Sequence, residues 1–221
     1  MLAQRTMAGK KTYDSFTKSL LHFNGNYVDE IGKIWTPNAS VLSATSKFGS
    51  GSVQFNGSSW IDTPDHADFT LGSGDFTVDF GIYRSTTGTI QRICGQMDSA
   101  NTAAQIAWQI YIDSGNAVTF QVRPGGSAYE VVATGLVLGA STWYHIAGVK
   151  EGTNIKLYVD GVLKGTTAVP TTAISDSTAK VAIGRCGEYA TEYYNGYVDE
   201  FRFSKGIARW TADFTPPTAE Y

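Results

Sequence analysis

Hydrophobic and polar residues alternate with a period of two along most of this chain, in runs of roughly four to eight residues bounded by turn formers. The clearest run is Ser141–Thr166. Trp143, His145, Ala147 and Val149 alternate with Tyr144, Ile146, Gly148 and Lys150. Glu151-Gly152-Thr153-Asn154 breaks the pattern, and Ile155, Leu157 and Val159 then alternate with Lys156, Tyr158 and Asp160. Asp160-Gly161 predicts a two-residue type I′ turn, because both central positions of that turn need φ > 0. Val162 to Thr166 is the return strand. Such a meander has one apolar face and needs a second sheet to cover it.

The same reading predicts strands at Ser19–Phe23, Gly49–Asn56, Trp60–Ile61, Phe76–Ile82, Ile90–Cys94, Ile106–Ile112, Val118–Val122 and Tyr129–Ala133. Strands recur about every ten residues with turn signals between them, the rhythm of an all-β antiparallel sandwich. Residues 26–47 read as a long connection containing Trp35, and one short helical turn is expected near Gly206–Trp210. No amphipathic helix, internal repeat or linker stands out, so residues 16–221 form one expected domain behind an arm at 1–15.

Composition adds limits. Of 221 residues, 42% are hydrophobic and only 17% charged, and 24 are glycine, which suits many short strands and tight turns. A net charge of −3 argues against a nucleic-acid binder, which would show a basic face. No run approaches the length of a membrane span, and the N-terminus has no apolar stretch of the secretory kind. Cys94 and Cys186 could meet in a single disulfide; two reduced core thiols are the favoured reading, since nothing marks an oxidising compartment. The arm is basic, with Arg5, Lys10 and Lys11, in a chain that is acidic overall. It is either a frayed terminus or an anchor that orders on a partner.

The pattern Trp-Tyr-His-Ile-Ala at 143–147 with Leu-Tyr-Val-Asp-Gly at 157–161 resembles the laminin-G-like, concanavalin A-like lectin sandwich. The resemblance continues in order through Leu20–Gly25, Phe48-Gly49 to Gly57, Phe76–Phe80, Ile183–Arg185, Gly196–Phe203 and the segment Ala208–Thr211 with Phe214–Pro217. That closing segment is similar to laminin-G-like proteins of bacteriophage virions. The resemblance implies a two-sheet jelly roll that binds surface polysaccharide without catalysis, displayed on a virion; the basic arm residues Arg5, Lys10 and Lys11 would then anchor it to other virion proteins, and a homo-oligomer is a separate expectation. The alternative is a structural capsid or tail decoration protein with no working sugar site, or a cell-surface part of a larger assembly.

Glycanases sharing this fold carry Glu-x-Asp-x-x-Glu or Glu-x-Asp-x-Glu on one strand, which sets two carboxyls at hydrolytic spacing. Neither pattern occurs, and His22, His66 and His145 are scattered, so no enzyme is expected. One structural calcium ion is implied by some relatives. Asp199, which alternates with Phe201 and Phe203 and so should point toward the core, and Asp29 are its candidate ligands. A sugar site needs aromatic platforms beside polar groups. Candidates are Gln109 and Tyr111, on the strand face opposite Trp108, with Tyr129, and Tyr189, Tyr193 and Tyr194 in the loop 185–196. Tyr193-Tyr194 suits sugar contact because loops expose aromatics; packing or protein contact is the other reading.

Overall fold

The computed structural model describes residues 13–221; the arm residues Arg5, Lys10 and Lys11 lie outside the described residues. Fifteen strands run in chain order: β1 (Thr17–Leu21), β2 (Thr36–Asn38), β3 (Val41–Ser43), β4 (Ser52–Asn56), β5 (Trp60–Thr63), β6 (Phe76–Arg84), β7 (Gln91–Met97), β8 (Ile106–Ile112), β9 (Val118–Val122), β10 (Tyr129–Val132), β11 (Trp143–Glu151), β12 (Asn154–Val159), β13 (Val162–Ala168), β14 (Val181–Ile183) and β15 (Asn195–Lys205). They form two antiparallel sheets. The first has the order β13-β12-β11-β6-β15-β4-β3, with β1 also pairing β15; the second is β10-β9-β8-β7-β14-β5-β2.

The alternation read from the sequence sends Phe76, Phe80, Phe201 and Phe203 inward from the first sheet and Trp108, Ile110 and Phe120 inward from the second, in one buried cluster. Aromatic rings lock the layers: Phe76 meets Phe120 edge-on at 5.9 Å and Trp108 meets Phe203 at 5.5 Å. Full burial of each such ring contributes on the order of 2–3 kcal/mol. The β12–β13 turn is as predicted, with φ of 48° at Asp160 and 75° at Gly161. A side chain at Gly161 would also collide with the Phe214 carbonyl, so the site needs glycine for space as well as for φ.

Three expectations are corrected. No helical turn forms at 206–210, where the chain bends; among the described residues the helical turn is the 3₁₀ turn Ala103–Gln105. The connection 26–47 contains the short strands β2 and β3, one in each sheet, and Trp35 is buried within it. The meander β11–β13 is apolar on both faces. Ile146, Ile155 and Leu157 join the main core, while Ala147, Val149 and Tyr158 lie under Ala208, Trp210 and Phe214 of the closing segment.

That segment straps the outer face of the first sheet. Trp210 stacks on Phe214 at 4.1 Å, and the Phe214 amide donates to the Gly161 carbonyl at 2.8 Å. Beneath the strap is a buried ionic cluster. Arg202 grips both oxygens of the fully buried Asp79, at 3.1 and 3.0 Å, and the Tyr221 hydroxyl donates to the same carboxylate. The His145 ring nitrogen Nε2 lies 3.1 Å from that hydroxyl.

Candidate functional site

The outer face of the second sheet has no such strap. Residues directly opposite one another in antiparallel strands share a face, and the register sets one row across the whole sheet: Glu130, Gln121, Gln109, Gly95, Ala182, Asp62 and Thr36. The adjacent outward row is Arg92, Tyr111, Thr119 and Val132. At the centre of the first row the side chains are small because the loop 185–193 folds over them. A Cβ at Gly95 would stand 2.5 Å from the Cys186 sulfur. Cys186 packs there with Met97, Ile106 and Tyr189, whereas Cys94 belongs to the main core. Both are free thiols, and burial raises their pKa, to about 12 for Cys186.

The loop divides the face in two. On one side, polar side chains form a relay. Gln121 donates to Glu130 at 2.5 Å, Gln109 donates to Gln121 at 2.7 Å, and Arg92 donates to both Gln109 and Glu192, the latter at 2.7 Å. The Arg92 guanidinium lies over the rings of Tyr111 and Tyr189, 5.6 and 4.9 Å from their centroids. The Tyr111 hydroxyl donates to Glu130 at 3.2 Å, and burial followed by the charge of Glu130 raises its pKa. On the other side, Arg185 stacks on Trp60 at 4.0 Å, Tyr193 tilts against Trp60 at 5.7 Å, and Asp62 joins Trp60, Arg185 and Lys180. Amphipathic rings beside hydrogen-bonding groups can stack on an apolar C–H face while reading hydroxyls.

The register brings Gln109, Tyr111 and Tyr189 together, and Tyr193 lies across the loop from them. Gln109 is only 4% exposed, so it supports Arg92 from below rather than meeting a ligand. Tyr194 is corrected. It is fully buried against Phe55, with its hydroxyl donating to the Tyr83 carbonyl, because the chain re-enters the sheet one residue earlier than a free loop would. Tyr129 is also corrected. It shares the inner face with Val131 and packs half-buried against the core. Arg92, Glu192, Glu130 and Trp60 were missed; the sequence signal of Arg92, Glu130 and Trp60 is only an outward position in a strand, Glu192 is a loop residue with no signal of its own, and the pairing that unites them is long-range.

The two calcium candidates have different surroundings. Calcium takes six to eight oxygens, but Asp29 is ringed by donors: the Ser19 hydroxyl, the Leu20 and Ile31 amides and the Trp35 indole. Asp199 does not face the core. An extra residue on β15, Glu200 with φ 51°, forms a bulge against β6 between Asp199 and Arg202 and reverses the alternation. One Asp199 oxygen accepts the Lys47 and Phe48 amides at 2.7 and 3.0 Å; the other is buried without a partner. Burial first, and then the charge of Glu200, raises its pKa to about 6. Among the described residues, the three metal-type ligands lying within reach of one another are His22, Glu200 and Glu220, which are already committed. His22 and Glu200 are hydrogen-bonded at 2.8 Å, which raises the imidazole pKa, and Asn24 donates to Glu220.

Comparison with solved structures shows the same sandwich at low identity. The binding domain of Paraclostridial Mosquitocidal Protein 1 superposes with a TM-score of 0.68 at 13% identity, over 86% of this chain and 48% of that one. The botulinum neurotoxin serotype G binding domain gives 0.65 at 13%, over 86% and 48%. This chain therefore spans about half the length of these toxin domains. Domain 4 of AbnA, a GH43 extracellular arabinanase from Geobacillus stearothermophilus solved with arabinotriose, gives 0.67 at 18%, over 87% of this chain and 93% of that domain. No curated protein matches the sequence. Residues 55–209 match the family described as the concanavalin A-like lectin/glucanases superfamily, and the chain belongs to that superfamily.

Proposed function

We propose that this domain is a non-catalytic carbohydrate-binding module whose ligand surface is the outer face of β7–β10 together with the loop 185–193. The observation carrying this is the contrast in cover: over β11, β12 and the Asp79 cluster the first sheet's outer face is closed by the chain's own strap, with Trp143, Tyr83 and Tyr197 half-buried against one another beyond it, whereas Arg92, Tyr111, Tyr189, Glu130 and Glu192 are gathered in one polar relay at the surface of the second. The arabinotriose complex of the AbnA domain supports the reading by analogy of fold. A glycan array on the purified protein tests it. Binding should appear and should fall at least tenfold in Tyr189→Ala with the melting curve unchanged, and incubation with polysaccharides should release no reducing ends.

A virion setting is part of this proposal. It is supported by the likeness of the closing segment to phage proteins and by the cations Arg5, Lys10 and Lys11. Deleting residues 2–12 should abolish assembly onto the parent particle and leave the sandwich folded. The rival reading, a decoration protein without a sugar site, is favoured by one feature: most hydrogen-bonding groups on this face already pair with each other. An array on which no glycan binds would select it.

A further inference from the structure

We infer that the ligand of this face is an uncharged oligosaccharide lying across strands β7 to β10, rather than an acidic polysaccharide or a single sugar. The inference deepens the carbohydrate-binding reading above and rests on it.

Charge is the first argument. An anionic sugar needs a cation with an uncommitted edge, most effectively a guanidinium presenting two parallel N–H groups. Arg92 has its Nε on Glu192 and one Nη on Gln109, with the rings of Tyr111 and Tyr189 close to its guanidinium, so only the second Nη is left over and no two-pronged edge is presented. Arg123, the other cation on these strands, is engaged by Gln121 and the Gly126 carbonyl. A sugar carboxylate or sulfate would have to displace Glu192 to gain a two-pronged contact, or else share Arg92 with it through a single Nη, on a face that also carries the Glu130 carboxylate.

The uncommitted groups make the second argument. Glu130 uses Oε1 for both Gln121 and Tyr111, and Glu192 uses Oε2 for Arg92. The second oxygen of each carboxylate accepts no hydrogen bond from the described residues, and Glu130 is exposed and Glu192 half-buried. Acceptors select a ligand that donates. Sugar hydroxyls donate to a carboxylate and ionised acid groups cannot.

Extent is the third argument. Arg92 is on β7, Tyr111 on β8, Gln121 on β9 and Glu130 on β10, so the polar relay crosses three strand spacings, ~14 Å. One sugar ring cannot reach from Tyr189 above Arg92 to Glu130. A short chain running perpendicular to the strands can, with the loop 185–193 as the wall at one end.

The test is titration calorimetry on the full chain with matched probes: neutral glucan, galactan, mannan and arabinan oligosaccharides from one to four units, and uronate-bearing or sulfated counterparts. At least one neutral series should bind, tightening tenfold or more from the monosaccharide to the trisaccharide, with little change between low and high salt. Its acidic counterpart should bind at least tenfold more weakly. Glu130→Gln should weaken the neutral trisaccharide by about tenfold without altering the circular dichroism or the melting curve. Tighter binding of the acidic form with steep salt dependence would overturn the inference and leave the carbohydrate-binding reading standing, as would a monosaccharide that binds as well as a trisaccharide. Absence of binding to every probe would remove both.

Discussion

The two outer faces of this sandwich start from the same alternation and end in opposite states. On the first sheet, the outward positions Ala147, Val149 and Tyr158 are apolar, and the strap carrying Trp210 and Phe214 closes over them. Asp79 and Arg202 pair beneath the strap with the His145 ring beside them. On the second sheet, the outward positions Glu130, Gln121, Gln109, Tyr111 and Arg92 are polar or amphipathic, and only the short loop 185–193 leans on them. An apolar outer face must be covered by something, and here the chain covers it itself. A polar outer face can remain in water, which makes it the surface available to a ligand.

The strapped face should be the sensitive one. Replacing Arg202 by Ala would leave the Asp79 charge buried and uncompensated, with an expected loss of about 3–5 kcal/mol in urea unfolding. Loss of less than 1 kcal/mol would mean that water reaches Asp79 and that the strap is open. Trp210→Ala removes a half-buried ring and its stack on Phe214; about 2–3 kcal/mol should go, with increased exposure of the first sheet to hydrogen exchange. Gly161→Val forces a β-branched residue into φ > 0 beneath the Phe214 carbonyl and should cost about 2 kcal/mol.

Acidity distinguishes two buried carboxylates of the same sheet. Burial alone would raise the pKa of Asp79, but Arg202 and His145 beside it hold it down to about 2. Its contribution, about 2 kcal/mol, is therefore present above pH ~4, the unfolded value, and is lost as pH falls toward 2. Asp199 has the opposite sign. Its folded pKa is raised to about 6, so the folded state holds the proton longer and stability declines as pH rises from ~4 to ~6. Asp199→Asn keeps an acceptor for the Lys47 and Phe48 amides and removes the buried charge. It should be close to neutral at pH 4.5 and stabilising by up to about 2 kcal/mol at pH 8, by thermal melts at both values. A loss of stability at pH 8 would instead mean that the ionised form has a partner, such as a cation.

Much of the fold was legible because the signals were local. β8 and β9 fall where the alternation placed them, and the Asp160-Gly161 turn follows from two adjacent residues. The errors came from features without a local signature. The bulge at Glu200 sets two polar residues, Asp199 and Glu200, between the core residues Val198 and Phe201; alternation counted only from Phe201 and Phe203 therefore read Asp199 as core-facing when it is not. Tyr193 and Tyr194 look alike in sequence, yet one rests on Trp60 and the other is sealed against Phe55, because Tyr193 is bridged to Arg92 of the second sheet and the next residue leads into β15 of the first. Of the proposed site, Tyr111, Gln109 and Tyr189 were named as candidates from residue type and face. Their assembly around Arg92 depends on pairings between distant strands and could not be read from one sequence.

The smallest effects on stability belong to the open face. Tyr111→Ala and Tyr189→Ala each remove a half-buried ring at the surface and should cost no more than about 1 kcal/mol, while ligand binding falls tenfold or more. The most direct measurement is amide NMR on the labelled protein titrated with the tightest-binding neutral oligosaccharide. Shifts should cluster on β7–β10 and the loop 185–193, with resonances of the strap and of β11–β13 unmoved. Shifts centred on Trp210, Phe214 and Tyr221, or a strap released by ligand, would place the binding surface on the closed face and contradict the account.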